Sequence, residues 1–296
     1  MKPPIVLLQQ RDFGQKINVT FEFVIQNFKP LMLALLYIAG PPSLIGGFFM
    51  GSYQSNMLGI QKKILSGDSG SDFPFSSVYE MGGSVLIFTV FVVIASVAST
   101  LVVNAYMLEY EEGNRNITPE IVWNRLKNYI GKGIGYTIVT FIFVLIATLF
   151  FLIPGIYVGV SLSFMYMVMM RENLDLGDTF RRCFYLIKDK WWSTFGLLII
   201  VGIISSIIGY VFQIPTLIVT LSSFFKIGDG MNDIWMTIGG VISTIGSMLV
   251  QSLVLVAIVF QYYNLVERRE GSGIINSINN IGKTDIPRTD QKEEEF

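Results

Sequence analysis

The chain has 296 residues, of which 52% are hydrophobic and only 15% are charged, and its formal net charge is −1. Soluble domains carry about 25% charged residues, so this composition excludes an ordinary soluble protein and is typical of a membrane protein. The absence of histidine and the single cysteine, Cys183, exclude a Ser-His-Asp triad, a Cys-His pair and histidine- or cysteine-based zinc sites. We therefore expect no enzymatic activity and no cofactor. The near-zero net charge gives no general attraction to nucleic acid.

Five long segments contain no Asp, Glu, Lys or Arg, and each exceeds the ~20 apolar residues that a transmembrane helix needs. They are 30–61, 81–108, 133–170, 191–225 and 234–266. A single helix over 133–170 would extend about 57 Å, nearly twice the hydrocarbon thickness of about 30 Å, so Pro154 and Gly155 predict a turn near its middle. The sequence thus predicts six spans, near 31–50, 83–107, 133–152, 156–172, 192–214 and 236–264. The segments 43–61 and 216–225 either span or lie as helical extensions at the far surface.

Positive charges alternate between the connections of these six spans. All of the Lys and Arg residues except Lys62, Lys63 and Lys226 fall before the first span, in the second and fourth connections, or after the last span. By the positive-inside rule both termini are therefore expected in the cytoplasm. The chain divides into an N-terminal segment with an amphipathic helix (1–30), a six-span membrane domain (31–264) and a polar, partly disordered cytoplasmic tail (265–296).

A polar stretch with helical spacing of its apolar residues precedes each odd-numbered span. The first and third stretches place apolar residues at the same four offsets from Gly14 and Gly177. These residues are Ile17, Phe21, Val24 and Phe28 in the first, and Phe180, Phe184, Ile187 and Trp191 in the third. The middle stretch fits more loosely and begins at Thr118 and Pro119, a favourable helix start. The sequence therefore predicts an all-α membrane bundle of three repeats, each an amphipathic helix followed by two spans.

The third amphipathic helix combines basic residues with an aromatic anchor. Its candidate lipid or partner contacts are Arg181, Arg182, Lys188, Lys190, Trp191 and Trp192. One interpretation is a surface that binds anionic lipid or the acidic segment of a partner. The other is an elbow that anchors the next span at headgroup depth, and the threefold occurrence of the pattern favours this elbow. Cys183, on the apolar face, is expected to be a buried small hydrophobe rather than palmitoylated or redox-active.

Neutral polar residues are the other candidates within the spans. The charge-free runs contain no ionisable group, which disfavours ion-coupled transport, although neutral polar groups and unwound backbone can also bind ions. Gln213 and Gln251 lie deep enough either to line an intramembrane polar cavity or to act as hydrogen-bonding contacts between helices. Small residues at a spacing of four predict close helix packing, within the chain or against another copy. They are Gly47/Gly51, Gly131/Gly135, Gly155/Gly159, Ser205/Gly209 and Gly239/Ser243/Ser247. The acidic, glycine-rich segment 66–72 has the wrong spacing for a calcium loop and predicts a flexible linker, so no metal site is expected.

Three segments carry a pattern of a known family. They read Ile153-Pro154-Gly155-Ile156-Tyr157, Asn173-Leu174-Asp175 through Arg181-Arg182, and Lys190-Trp191-Trp192 with Phe195-Gly196. The pattern resembles the membrane domain that accompanies some bacterial glycerophosphodiester phosphodiesterases and that also forms stand-alone proteins. In the fused members a separate soluble domain performs hydrolysis, and little chain follows Val266 here, so the resemblance does not imply this activity. It implies a six-span module of the bacterial cytoplasmic (inner) membrane.

We therefore expect an integral membrane component that acts with protein partners, or as a homo-oligomer, in assembly or membrane homeostasis. The alternative is a carrier or flippase for a lipid-like or hydrophobic solute, and an intramembrane enzyme is a third interpretation. A partner should copurify with the protein in mild detergent, whereas a carrier should act alone in liposomes.

Overall fold

The structure is a computed structural model that describes residues 3–65, 75–225 and 233–271. Within these ranges the regular structure is helical and contains no strand, as the sequence predicts. The helices are α1 (Phe13–Gln26), α2 (Phe28–Ile38), α3 (Gly40–Leu65), α4 (Phe75–Glu111), α5 (Pro119–Leu126), α6 (Ile130–Phe150), α7 (Leu152–Ser161), α8 (Met165–Glu172), α9 (Leu176–Ile187), α10 (Trp191–Phe224) and α11 (Asp233–Glu270).

Several of these helices are long and apolar enough to cross a bilayer. Five such segments are Gly82–Glu111, Pro119–Leu149, Leu152–Glu172, Trp191–Ser223 and Ile234–Glu270. Helices α1 and α2, which meet at an angle of 77°, form a sixth spanning segment if they are counted together as one bent span. Because every backbone group inside a bilayer must find a partner within the protein, such helices define a polytopic membrane bundle.

The predicted first span, 31–50, is divided between α2 and α3. Backbone hydrogen bonds from Ala39 N to Leu35 O (2.8 Å) and from Ser43 N to Ala39 O (3.2 Å) continue the helical pattern across the junction. Pro41 and Pro42 lie in the first turn of α3, where a missing N–H removes no helical hydrogen bond. The prolines therefore mark a junction between two helices and not the end of the helical path.

The predicted turn at Pro154 and Gly155 lies slightly earlier in the structure. Phe151 separates α6 from α7 with an extended backbone (φ −160°, ψ 144°). Pro154 falls in the first turn of α7, a position that proline tolerates well. Gly155 permits the tight return, since a Cβ there would lie 3.0 Å from the Cα of Thr148 in α6. The hairpin is thus present, but the residue that forms the turn is the one just before α7.

The short helices α1, α5 and α9 each precede the long helices of one predicted unit, and the buried faces of α1 and α9 share a register. Counted from Gly14 and Gly177, buried residues of the two helices occupy equivalent positions. They are Lys16, Thr20, Phe23 and Val24 in α1, and Thr179, Cys183, Leu186 and Ile187 in α9. The centre of each face is shifted from the predicted offsets, so Phe180 and Phe184 pack at the flank of the core and Phe28 is exposed. The three-unit repeat itself stays a prediction.

One end of the bundle, here called the polar end, holds α1, α5, α9 and the C-terminal part of α11. Helix α11 contacts α1, α4 and α9 at this end, and α3 and α10 along its length. It continues past the predicted tail boundary at 265 as far as Glu270, and Leu265 and Val266 are fully buried. The predicted linker 66–72 and the rest of the predicted tail lie outside the described residues.

Helices α3 and α11 approach each other until their backbones touch. A Cβ on Gly240 of α11 would lie 2.6 Å from the N of Gly51 and 2.7 Å from the O of Gly47, both in α3. Gly239, on the next face of α11, packs against Thr216 of α10. Small residues therefore mediate close packing within this chain at Gly47 and Gly51, and their partner is Gly240, which was not among the predicted small residues.

The other predicted small-residue pairs do not all pack within the chain. A Cβ would meet no atom within 4 Å at Gly131, Gly135, Gly159 or Gly209. Spacing alone does not distinguish a glycine at a helix crossing from a glycine that faces outward.

We expect Gly240→Ala to destabilise the protein by about 1–3 kcal/mol, because the added methyl group must separate two helix backbones. Equilibrium unfolding in mild detergent measures this change. Gly135→Ala is the control, since it adds the same methyl group in open space and should be neutral or stabilising by up to ~1 kcal/mol through helix propensity. Equal stability of Gly240→Ala and the unchanged protein would contradict the close crossing.

Candidate functional site

The structure separates the predicted contact residues of the third amphipathic helix into exposed and structural ones. The side chain of Arg181 is 89% exposed and lies 3.9 Å from Asp178. Its neighbour Arg182 is only 19% exposed and forms ion pairs with Glu172 (Nε to Oε2, 2.7 Å) and with Glu270. Arg182 therefore holds α9 to α8 and α11, and of these two arginines Arg181 is the one that faces outward.

The remaining contact candidates follow the same division. Lys188 and Trp192 are exposed, and Lys190 and Trp191 are half-buried. The indole Nε1 of Trp191 donates a hydrogen bond to the carbonyl of Tyr157 (3.2 Å), and its ring stacks on Tyr157 and Phe195. Trp191 thus joins α10 to α7, which is the behaviour expected of an elbow.

Arg182 belongs to a chain of charged and tyrosine side chains that links α4, α8, α9 and α11 at the polar end. Arg171 pairs with Glu111 (Nη2 to Oε1, 2.8 Å). The hydroxyl of Tyr263 donates to Glu111 Oε2 at 2.6 Å, and that of Tyr262 donates to Glu172 at 2.7 Å. Sequence reasoning missed these contacts because the partners are far apart along the chain. The available signal was the concentration of charges at the ends of the charge-free runs.

A second polar cluster surrounds Lys16, which is only 3% exposed. Its ammonium donates to Gln261 Oε1 (2.9 Å) and to Ser193 Oγ (3.0 Å), both neutral acceptors. Gln261 Nε2 in turn donates to Thr194 Oγ1 at 2.8 Å. The cluster fixes α1 against the start of α10 and the end of α11. Sequence reasoning did not find Lys16, since it lies outside the charge-free runs.

Cys183 is fully buried in α9, as predicted. Burial, with a smaller contribution from Glu172, raises the pKa of its thiol to about 12. The thiol is therefore neutral at physiological pH and a poor nucleophile. In the described part of the chain, no group of three or more His, Cys, Asp or Glu side chains is arranged to hold a metal ion.

Gln213 of α10 and Gln251 of α11 lie on the walls of the same two cavities. The first, here called the groove, has a volume of about 1020 Å³ and runs between α10 and α11. The second, here called the chamber, has a volume of about 200 Å³ and lies between α3, α4, α10 and α11. Gln213, Ser247 and Gln251 line both cavities. These three residues, all of them exposed, therefore lie on the shared boundary of the groove and the chamber, here called the partition.

The described residues that line the two cavities carry hydroxyl and amide groups, and none of them has a charged side chain. The polar residues outside the partition are Ser205, Ser206, Tyr210, Thr216 and Thr220 in the groove, and Ser43, Gln54, Ser96, Ser243 and Thr244 in the chamber. Apolar residues complete each wall. The site can therefore hold a molecule that is partly apolar and partly hydrogen-bonding.

Three buried polar atoms of these walls lack a hydrogen-bond partner among the described residues. They are Gln54 Oε1 in the chamber, and Ser205 Oγ and Thr216 Oγ1 in the groove. A buried polar atom without a partner costs about 1–3 kcal/mol. Such atoms are unusual in a folded protein, and Asn104 Oδ1, which lies outside both cavities, is another.

The apolar helices and the cavities between them define an integral, multi-pass α-helical membrane protein. The chain belongs to a family described as a domain of unknown function, DUF7847, which matches residues 15–265. No curated protein and no solved structure significantly matches the chain. The matched residues include most of the polar end and all of the residues that line the two cavities. The resemblance to the membrane domain of glycerophosphodiester phosphodiesterases stays a prediction.

Arg181 and Arg182 provide a matched pair of neighbouring substitutions. Arg182→Gln should lower the free energy of unfolding by about 1–3 kcal/mol, because Glu172 and Glu270 lose a charged hydrogen-bond partner. Arg181→Gln should leave stability unchanged, since an exposed ion pair contributes little. Thermal unfolding of both variants in the same detergent distinguishes them, and equal effects would disprove the structural role of Arg182.

Proposed function

We propose that this protein is a non-enzymatic carrier that binds a lipid-like amphiphile between α10 and α11. The observation that carries the proposal is the shared position of Gln213 and Gln251 on the walls of the groove and the chamber. Small-molecule sites in proteins typically measure roughly 300–1,000 Å³ and combine apolar walls with a few polar groups. The groove has this size and this composition, and it lies along helices that are otherwise apolar.

An amphiphile fits the groove better than a fully polar solute. Ile207, Val211 and Leu217 line it and are 63%, 59% and 55% exposed, so an acyl chain has apolar surface to cover. The hydroxyl and amide groups of the same walls would lie against hydrocarbon if the site bound an alkyl chain alone, and this is costly. A molecule with an apolar chain and a polar head can cover the apolar side chains of the groove and form hydrogen bonds with its polar groups.

Photo-crosslinking in liposomes tests this proposal directly. Purified protein is reconstituted with diazirine-labelled lipids, and the sites of adduct formation are mapped by mass spectrometry. We expect adducts concentrated on residues 202–220 and 247–254. Ser206→Trp should fill the groove and reduce these adducts at least about fivefold, because a bulky ring excludes the chain from a site of fixed volume.

Thr89→Trp is the matched control for Ser206→Trp. Both residues are exposed on long apolar helices, and both hydroxyls donate to the carbonyl four residues earlier at 2.8 Å. Thr89 lies on α4 and lines neither cavity, so its substitution should leave the adduct pattern unchanged. Adducts spread evenly over all lipid-facing helices would defeat the carrier proposal. Stoichiometric copurification of a second protein would then favour the alternative, a component that acts with a partner.

We further propose that the polar end faces the cytoplasm of a bacterial cell and that the protein lies in the inner membrane. The distribution of Lys and Arg supports this orientation. In a Cys183→Ala background, a cysteine introduced by Arg181→Cys should react in intact cells with a membrane-permeant maleimide only. After permeabilisation an impermeant maleimide should react as well. Labelling of intact cells by the impermeant reagent would reverse the orientation.

A further inference from the structure

The depth of the groove in the membrane determines which lipids can reach it. We propose that the groove takes its amphiphile from the leaflet opposite the polar end, here called the far leaflet, and gives it no path to the leaflet at the polar end, here called the near leaflet. This inference rests on the proposed function and adds the source of the ligand to it. It follows from the lengths of α10 and α11 and from the packing of α1.

Two exposed tryptophans mark the surfaces of the membrane. Trp192 lies at the start of α10, and Trp235 lies near the start of α11. Tryptophan is enriched at both membrane interfaces. The hydrogen bond from Gln261 Nε2 to Thr194 Oγ1 (2.8 Å) fixes the level of α11 against α10. At 1.5 Å per residue, the helical path between the two tryptophans through this bond measures about 42 Å, which matches the roughly 40–45 Å of a bilayer with its headgroups.

The groove occupies the far half of this thickness. On α10 it extends from Gly202 to Thr220, which lie about 15 Å and about 42 Å from Trp192 at 1.5 Å per residue. The midplane lies about 21 Å from Trp192 on the same scale. On α11 the groove begins at Val254, about 14 Å from the level of Trp192, so the two helices place its start at a similar depth. The groove therefore runs from near the midplane to the far surface.

Helix α1 closes the part of the bundle between the polar end and Gly202. Lys16 donates hydrogen bonds to Ser193 of α10 and to Gln261 of α11. The ring of Phe13 packs against α10 at Gly196, where a Cβ would lie 3.6 Å from it. The side chains of α10 and α11 in this part include five that are fully buried, namely Thr194, Leu197, Val201, Val256 and Phe260. A lipid of the near leaflet therefore meets a packed interface here and not an opening.

The exposed polar side chains of the groove fit a lipid of the far leaflet. Tyr210 and Gln213 lie about 27 Å and about 32 Å from Trp192, which is beyond the midplane. They face the ester groups and head of a far lipid, whose chain extends towards the midplane beside Ile207. The head of a lipid in the near leaflet lies at the level of Trp192, outside the reach of either side chain.

Two photoactivatable phospholipids with identical chains test this inference in liposomes. One carries a diazirine in the head, and the other carries it at the end of one chain. Groove adducts are identified as those that Ser206→Trp reduces and Thr89→Trp leaves unchanged. We expect the head probe to label residues 213–220 at least about fivefold more than residues 202–206, because the head and the chain end of a lipid are about 15 Å apart in depth. The chain-end probe should show the reverse preference.

Helix α6 provides an internal control for the depth of labelling. Ile134, Phe141 and Leu149 are exposed, so this helix faces lipid along its length. Because lipids of both leaflets flank it, the head probe should label both of its ends and the chain-end probe should label its middle. Thermal unfolding shows whether Ser206→Trp is folded. If it is unstable, Leu217→Trp replaces it, since Leu217 lines the same groove and is exposed.

A transport assay provides the second arm. Proteoliposomes carry a phosphatidylcholine with a nitrobenzoxadiazole label in both leaflets, and dithionite destroys the fluorescence of the outer leaflet. We expect the remaining fluorescence to decay as slowly as in liposomes without protein, because the groove does not extend through the near half of the membrane. Ser206→Trp and Thr89→Trp should both decay at this slow rate.

The outcomes separate this inference from the carrier proposal. Head-probe groove adducts that concentrate on residues 202–206, or that spread evenly over residues 202–220, would overturn the restriction to the far leaflet. Rapid decay of fluorescence that Ser206→Trp abolishes would overturn it as well. In each case the crosslinking in the groove would still support a lipid carrier. The absence of any adduct that Ser206→Trp reduces would overturn both proposals.

Discussion

The polar end depends on one constraint: the polar side chains on the last turns of α11 are buried and must find partners on other helices. Gln261, Tyr262 and Tyr263 are each at most 1% exposed. Their partners come from α1, α4, α8 and α10. Because a buried polar group without a partner costs about 1–3 kcal/mol, these bonds fix the position of every helix that supplies one. The C-terminal part of α11 is therefore the centre against which α1 and α9 pack.

The other end of α11 is fixed by a different interaction. Gly240 allows its backbone to touch α3, and Gly239 allows close contact with α10. The polar network and the glycine contacts thus hold α11 at two places along its length. The chamber and the groove lie between these places, where Ser247 and Gln251 line both cavities. A helix held at both ends can keep polar cavities open in the part between them.

The predicted site residues fall into two groups. The position of one group can be read from neighbouring residues in the sequence, and that of the other depends on how the helices pack. Gln213 and Gln251 were selected from the sequence because they lie deep in apolar spans, and this position can be read from the surrounding residues in any fold. Arg181 and Arg182 are adjacent and chemically identical, yet one faces outward and the other is paired with Glu172. The direction of each side chain depends on the rotation of α9 against α8 and α11. The sequence of α9 alone does not indicate this rotation.

The amphipathic helices show the same limit. Their apolar spacing identified α1 and α9 correctly, but the large aromatic residues Phe180 and Phe184 suggested a face displaced from the buried one. The structure buries Cys183 and Ile187, as expected, but it also buries Thr179 and Leu186, and the rings of Phe180 and Phe184 pack beside this face. The burial of Lys16 was not predicted, because a lysine in a polar stretch is usually exposed to water. Its burial depends on the hydrogen bonds to Gln261 and Ser193, which are distant in the sequence.

The sequence alone determined the all-α class, the long apolar helices, the hairpin between α6 and α7, and the three short helices that precede the long ones. These features depend on the length of charge-free runs and on helical spacing, which are properties of neighbouring residues. The tertiary structure decided which small residues pack, which charges pair and that Gln213 and Gln251 line the same two cavities. Those outcomes depend on how helices distant in sequence are rotated against one another, and that rotation minimises unpaired polar groups and empty space over the whole bundle at once.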